Sequence, residues 1–510
     1  MKRLHKIIIA LFAFAGLNSC TKDFEEINTN PVQATSLDPV YLFANAQFSA
    51  AIATYNYQLE IVQQINTPYT GVLEGGNHNV NYDPSTNAAY NTLYTTSIKF
   101  LTDVLDKTKD NAARANLYQM ARIWKAHVFM VLVDTYGDVP YFNAGKAYLE
   151  QSYQPVYDDQ EAIYNDILTE LEDATNKLDA AQPIETSDLF YKGGIAQWKK
   201  LGNSLLLRAG MRYSKVDAAK AEATVKKAVD ASRGGVFTSN ADNAIIAFNA
   251  TFNSPTGSWF QATERGNIYL GKPFVTHLQN MNDPRLKVIS VKYADPAKPL
   301  AEAGAADTDP ANQEGMPYGY NESTIATAPG FPGKIGAAFA YSQVNRRTVG
   351  KIDAPEFFVT YAQTQLLMAE AAQRGWITGN AADYYAAGVR GAMKQMAQFD
   401  VSAAISQADE DAYLAAHPYN ATTGLQQIND EYWVNSFLNG SEGWANFRRS
   451  GFPALTPNPY PGADPAVKGG FIRRLTYPVR EQSVNSENYA AAVARMGPDN
   501  LATRVFWDKE

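Results

Sequence analysis

The residues that most often carry chemistry are sparse here and badly spaced for it. His78, His127, His277 and His417 are scattered, and none has a ligand-type residue two or four positions on. The zinc-peptidase pattern His-Glu-x-x-His, which puts two imidazoles on one helical face, is absent. No Gly-x-Ser-x-Gly elbow occurs, and Gly440-Ser441-Glu442-Gly443 has the wrong spacing. The run from Gly266 to Gly271-Lys272-Pro273 approaches a phosphate loop. A proline, however, stands where the Mg²⁺-coordinating hydroxyl is needed. Asp307-Thr308-Asp309-Pro310-Ala311-Asn312 looks like half a calcium loop, but Ala311 breaks the alternation of oxygen ligands. With 52 acidic residues, carboxylate pairs for glycoside hydrolysis cannot be told from chance, because their separation is spatial. No catalytic residue, metal or cofactor is therefore expected.

The sole cysteine has a different use. Lys2, Arg3 and Lys6 precede an apolar run from Ile7 to Leu17, too short to span a bilayer. A basic start and a short apolar stretch read as a secretory signal. It ends in Leu17-Asn18-Ser19-Cys20, which resembles a bacterial lipobox. Residues 1–19 are then a signal peptide, and 20–36 a tether lipidated at Cys20. Several acyl chains, each worth about 0.8 kcal/mol per buried methylene, would anchor it stably in a membrane. The acids after the cysteine, Asp23, Glu25 and Glu26, resemble the surface-export signal of Bacteroidetes lipoproteins. The net charge of −8 argues against a nucleic-acid partner, since phosphate neutralisation needs a basic face.

Stripes at helical spacing recur. Ile163, Ile167, Leu171, Ala174 and Leu178 form one; Leu117, Met120, Trp124, Val128 and Val131 another; Trp198, Leu201, Leu205 and Ala209 a third. Helices are expected over 41–66, 87–107, 114–135, 157–179, 194–215, 216–230, 356–376 and 381–396. Such a succession buries its faces most simply as stacked helix pairs. Residues 296–336 hold six Pro and six Gly and cannot form regular elements, and 450–470 are similar. Short β-type runs occur at 244–248 and 289–293. The expectation is a mainly α protein of stacked helix pairs, tetratricopeptide-like although no clean 34-residue repeat is present, with long irregular loops and a few short strands. No linker divides residues 37–510, which read as a single domain. Its scaffold falls mainly in 37–233 and 350–400, its ligand-side loops mainly in 234–349 and 401–470.

Several segments are familiar as a set. They are Asp23-Phe24-Glu25-Glu26-Ile27-Asn28-Thr29-Asn30-Pro31; Asp134-Thr135-Tyr136-Gly137-Asp138-Val139-Pro140-Tyr141; and Tyr191-Lys192-Gly193-Gly194 with Trp198 through Arg208. The C-terminal ones are Glu442-Gly443-Trp444 through Gly451 and Arg474-Leu475-Thr476-Tyr477-Pro478. In this order they resemble the SusD/RagB family, in particular its SusD-like branch of starch-utilisation-type outer-membrane nutrient-binding lipoproteins. The resemblance implies four tetratricopeptide-type helix pairs and a non-catalytic role. It also implies a SusC-type TonB-dependent transporter as partner and an oligomeric nutrient, usually an oligosaccharide, as ligand. Some members take peptides, so that alternative stays open. A surface glycan hydrolase is the rival reading, resting only on abundant acids and export.

The motif residues themselves read as scaffold. Tyr136-Gly137 to Pro140 is a helix stop, with Gly137 suited to a left-handed cap. Trp124, Trp198 and Trp376 lie in core stripes, and Trp444 and Trp507 are expected to be structural. Sugar recognition needs exposed rings that stack on pyranose C–H faces, with amides at the rim. The expected ligand-binding residues are Trp259, Tyr318 and Tyr320, then Tyr82 and Tyr341. His78 and Asn81, with Asn77, Asn79 and Asn321, would supply hydrogen bonds. Against this stands the plainer reading that each ring packs on its own loop.

Overall fold

The computed structural model describes residues 37–52, 56–71, 74–147 and 149–510. The expected signal peptide, Cys20 and the expected tether fall outside the described residues.

The main helices are α1 (Pro39–Phe48), α2 (Lys99–Thr108), α3 (Ala115–Tyr136), α4 (Gln160–Lys177), α5 (Ile195–Arg212) and α6 (Ala218–Val229). They continue with α7 (Lys272–Asn280), α8 (Tyr361–Gln373), α9 (Ala381–Phe399), α10 (Gln407–Ala416), α11 (Gly424–Asn435) and α12 (Gly440–Ser450). Starts are set by local chemistry. Asp38 caps α1, where Pro39 supplies the helical φ. Asp159 accepts from Glu161 N and Ala162 N to open α4. Thr360 and Gln363 form a capping box at α8.

Four pairs make the frame: α1 with α2, α3 with α4, α5 with α6, and α8 with α9. Successive pairs meet through α2–α3, α4–α5 and α5–α8. The expected stripes are the buried faces: Ile163, Ile167 and Leu171 of α4 and Trp198, Leu201 and Leu205 of α5 have no exposed surface. The strands are short and antiparallel. Ala244–Ile246 pairs with Glu356–Val359, and Ser290–Tyr293 lies between Ala306–Asp307 and Gln343–Val344.

Buried polar residues tie the pairs together. Asp188 is fully buried and accepts from Gln47 of α1 (2.7 Å), Trp198 Nε1 of α5 (2.8 Å) and the Gly193 N–H (3.1 Å). Arg449 of α12 grips Glu370 of α8 with two parallel bonds of 2.8 and 2.7 Å, both side chains 1% exposed. Arg212 bridges Asp134 and Glu442, and Trp507 Nε1 donates to the other oxygen of Asp134 at 2.9 Å.

Several elements differ from the expectation. Residues 356–359 form a strand, because Phe357, Phe358 and Val359 suit a sheet buried on both faces. The 41–66 stretch is interrupted after Phe48 and resumes as a helix over Asn56–Ile61. The 87–107 stretch passes through a π-turn at Tyr94–Ile98. Residues 401–450, expected among the loops, carry α10, α11 and α12. In α12, Gly440 and Gly443 weaken the helical signal, and a Cβ on Gly443 would sit tightly against Ser436, at 3.2 Å. Gly137 ends α3 at φ 79° and ψ −123°, outside the left-handed cap region. A side chain there would run into Met496 Sδ.

Candidate functional site

The loops at one end of the frame gather aromatic rings into a second small core. Tyr269, Met316, Phe339 and Tyr341 are buried in it, while Tyr69, Tyr320 and Phe331 pack on it half-buried. It exists because the 296–341 stretch has too many Pro and Gly to make elements and must bury its rings against one another. Phe331 lies 5.9 Å from Phe339 and 6.3 Å from Tyr341, centroid to centroid, in edge-on or tilted contact.

A second loop adds to this rim. His78 stacks on Tyr460, ring centroids 4.2 Å apart. Its Nε2 lies 3.2 Å from the Tyr320 carbonyl oxygen, which can only accept, so Nε2 carries the proton. Burial holds the His78 imidazole below its ordinary value, so it is neutral at physiological pH. Asn321 donates to the Tyr460 hydroxyl at 3.2 Å. Asn458 donates to the Asn77 carbonyl, and the Asp464 N–H donates to the Asn79 carbonyl at 2.8 Å. The 77–79, 320–321 and 458–464 segments thus form one fastened unit.

The sequence-expected residues fall into three groups. Tyr320 and His78 meet in this unit, with Asn77, Asn79 and Asn321 serving as its internal fasteners. Asn81 is exposed and accepts from Thr476 at 2.9 Å, and Tyr82 is half-buried beside it. Trp259, Tyr318 and Tyr341 are 7%, 8% and 3% exposed, which leaves no ring face open for stacking. The Tyr318 hydroxyl is spent on the Ile65 carbonyl. The Trp259 segment is fastened to residues 346–356 through Ser254, Gln261 and Thr256. Its proline and glycine mark a short turn of helix whose rings point inward, and turn chemistry alone does not show which way a ring faces. Within this unit, Tyr69, Phe331 and Tyr460 are half-buried rings that sequence reasoning did not select. Their signal was present, since all three sit on Pro/Gly-interrupted stretches.

Beside this unit lies a cleft of about 500 Å³ between α7, α11 and the 453–459 loop, with Tyr318 on its wall. Lys272 and His277 of α7 and Asp430 and Trp433 of α11 line it. Trp433 is held by its Nε1 donating to the Val62 carbonyl at 2.9 Å. Burial pushes the Asp430 carboxyl up to about 7, with Glu431 adding to the shift and Gln426 opposing it. Among the described residues no group of His, Cys, Asp and Glu is placed to hold a metal, and no helix is long and apolar enough to cross a membrane.

Helix pairs of tetratricopeptide type carrying a ring-lined loop face define a binding scaffold. Residues 31–478 match a SusD-like family model described as starch-binding and associating with the outer membrane. Among solved structures, one called a chitin-binding protein is 30% identical over 93% of this chain and all of its own, with a TM-score of 0.79. A Bacteroidetes SusD-like protein is 25% identical over the same shares, with a TM-score of 0.81. A chitin-binding SusD homologue from Flavobacterium johnsoniae shares the fold at 22% identity, covering 92% of this chain and 99% of its own, TM-score 0.76. No curated protein matches. The chain belongs to the SusD-like family of outer-membrane nutrient-binding proteins, whose members bind without catalysing a reaction.

Proposed function

We propose that this protein is a surface lipoprotein, anchored through Cys20, that captures oligosaccharides and hands them to a SusC-type TonB-dependent transporter. The observation that carries the ligand class is the rim itself. Tyr69, Tyr320, Phe331 and Tyr460 are half-buried rings on mutually fastened loops, with the exposed amide of Asn81 and the half-buried Asn321 on the same segments. Rings fixed in this way stack on pyranose faces at little ordering cost. The chitin-binding name of a 30%-identical structure favours N-acetylhexosamine oligomers among the candidates. Tyr82 and Asn81 extend the rim toward the 476–479 segment. Trp259, Tyr318 and Tyr341 are assigned a supporting part, holding the loops from below.

Calorimetry against chitin, starch and other glycan oligomers, with short peptides alongside, tests the reading. Binding to at least one glycan series that Tyr460→Ala weakens is the expected result. Binding to peptides alone would move the protein to the peptide-handling alternative, and product release from any oligomer would overturn the non-catalytic role. Co-purification of a TonB-dependent transporter from the outer membrane tests the partner.

A further inference from the structure

The cleft between α7 and α11 holds an acid, Asp430, that Gln426 hydrogen-bonds but that forms no ion pair among the described residues. Asp430 and Trp433 are three residues apart on α11 and face the cleft together. The neighbouring acid, Glu431, is already taken: Arg285 donates to one of its oxygens at 2.7 Å and Tyr413 to the other. Asp430 has no such cation. Its Oδ1 is closed off from solvent and accepts no hydrogen bond. The charge on Glu431 adds to the cost of ionising it. A carboxyl so placed gains most from a positive charge brought to its open edge. The cleft volume, about 500 Å³, lies in the range that takes one or two sugar rings.

We propose that this cleft is a subsite for a hexosamine unit whose amine is free and protonated, received by the Asp430 carboxylate against the wall formed by Trp433 and Tyr318. The inference rests on the sugar-binding reading above and narrows it to oligomers carrying unacetylated amino groups. Three other groups face or back the site. Lys272, exposed at the start of α7, opposes a cation in the cleft. His277, held low by burial, is neutral at neutral pH and adds no charge. Glu431, behind the wall, shares Arg285 with Asp283, and the negative charge left over disfavours ionised Asp430 until a cation arrives. Binding of the amine requires an ionised Asp430 and a protonated ligand. Affinity therefore falls as pH drops below about 7, and falls again above the ligand amine's own range, about 8.

The test is calorimetry with fully acetylated and fully deacetylated chito-oligosaccharides, on the wild type, Asp430→Asn and Lys272→Ala, at about pH 5 and about pH 7. Wild type should bind the deacetylated series roughly tenfold tighter at neutral pH than at the acid one. Asp430→Asn should abolish that difference and leave the acetylated series within about twofold. Lys272→Ala should tighten the deacetylated series only, and it reads the same subsite without altering Asp430. Binding of acetylated oligomers with no amine-dependent gain, or an amine gain that survives Asp430→Asn, overturns the subsite and leaves the sugar-binding reading intact. Failure of both series to bind overturns the subsite, while binding of another glycan would keep the broader reading.

Discussion

His78 lies nearly flat against Tyr460, their planes 24° apart, and the same imidazole holds the backbone of Tyr320. One buried side chain thus orients two of the half-buried rings on the proposed binding rim. The contact spans nearly the whole described chain, since it joins a segment near residue 78 to one near residue 460. Tyr460→Ala should weaken oligosaccharide binding roughly three- to tenfold, the share of an aromatic contact worth about 0.5–1.5 kcal/mol. His78→Ala should weaken it as well, without removing any ring from the rim, by loosening Tyr320 and Tyr460 together. Calorimetry and melting curves on the two variants check this. A His78→Ala protein with unchanged affinity would show that the rim does not need its support.

Trp259 should behave in the opposite way. It packs 5.3 Å from Phe260 within the main core and is 7% exposed. Trp259→Ala should cost about 3–5 kcal/mol of stability through the cavity it leaves. The affinity of the protein that remains folded should stay near the wild-type value. Chemical denaturation gives the first quantity and calorimetry the second. A large affinity loss with an unchanged melting point would return Trp259 to the binding surface.

The pairing of Arg449 with Glu370 should set part of the acid response. The Arg449 guanidinium, with Arg374 beside it, holds the buried Glu370 carboxyl down to about 2 against the opposing effect of burial. Its unfolded value is near the ordinary carboxylate one, about 4.3. A depressed carboxyl stabilises the fold above the unfolded value, and that contribution is lost as pH falls from about 4.3 toward 2. Glu370→Gln should therefore lower stability by about 3–5 kcal/mol at neutral pH, since it leaves a buried arginine without its anion. The same variant should flatten the pH dependence across the acid window. Urea titrations at several pH values measure both effects.

The frame was legible in the sequence to the extent that each helix presents one continuous stripe. The α4 and α5 stripes were readable residue by residue because their apolar positions recur at three and four. Trp124, Trp198, Trp444 and Trp507 are fully buried, as their places in stripes or motifs implied. Motif arginines bond carboxylates and carbonyls: Arg448 donates to the Arg473 carbonyl at 2.7 Å, and Arg473 pairs with Asp508 at 3.3 Å. Two things were hidden. A strand such as Glu356–Val359, buried on both faces, has no alternation and merges with the helix after it. Ring orientation in loops was hidden as well. Trp259 and Tyr460 both sit near proline and glycine, but one faces the core and the other the rim. That choice is made by long-range partners such as His78 and Arg346, which no local pattern encodes. The cleft acid Asp430 was invisible for the same reason, because its burial comes from α7 and the 453–459 loop, which are distant in sequence.

Gly193 marks a backbone contact that tolerates no side chain. It adopts φ +81°, and a Cβ would meet the Glu185 backbone nitrogen at 2.7 Å. Its own N–H donates to Asp188, the carboxylate that also holds α1 and Trp198. Gly193→Ala should therefore combine backbone strain with displacement of a buried acid. The expected loss is about 2–4 kcal/mol, more than glycine-to-alanine strain alone. The first and third helix pairs should loosen together, seen as faster amide exchange in both α1 and α5. Asp188→Asn offers a control, since it keeps the backbone and removes the charge. If Gly193→Ala destabilises α5 without affecting α1, the carboxylate does not couple the two pairs.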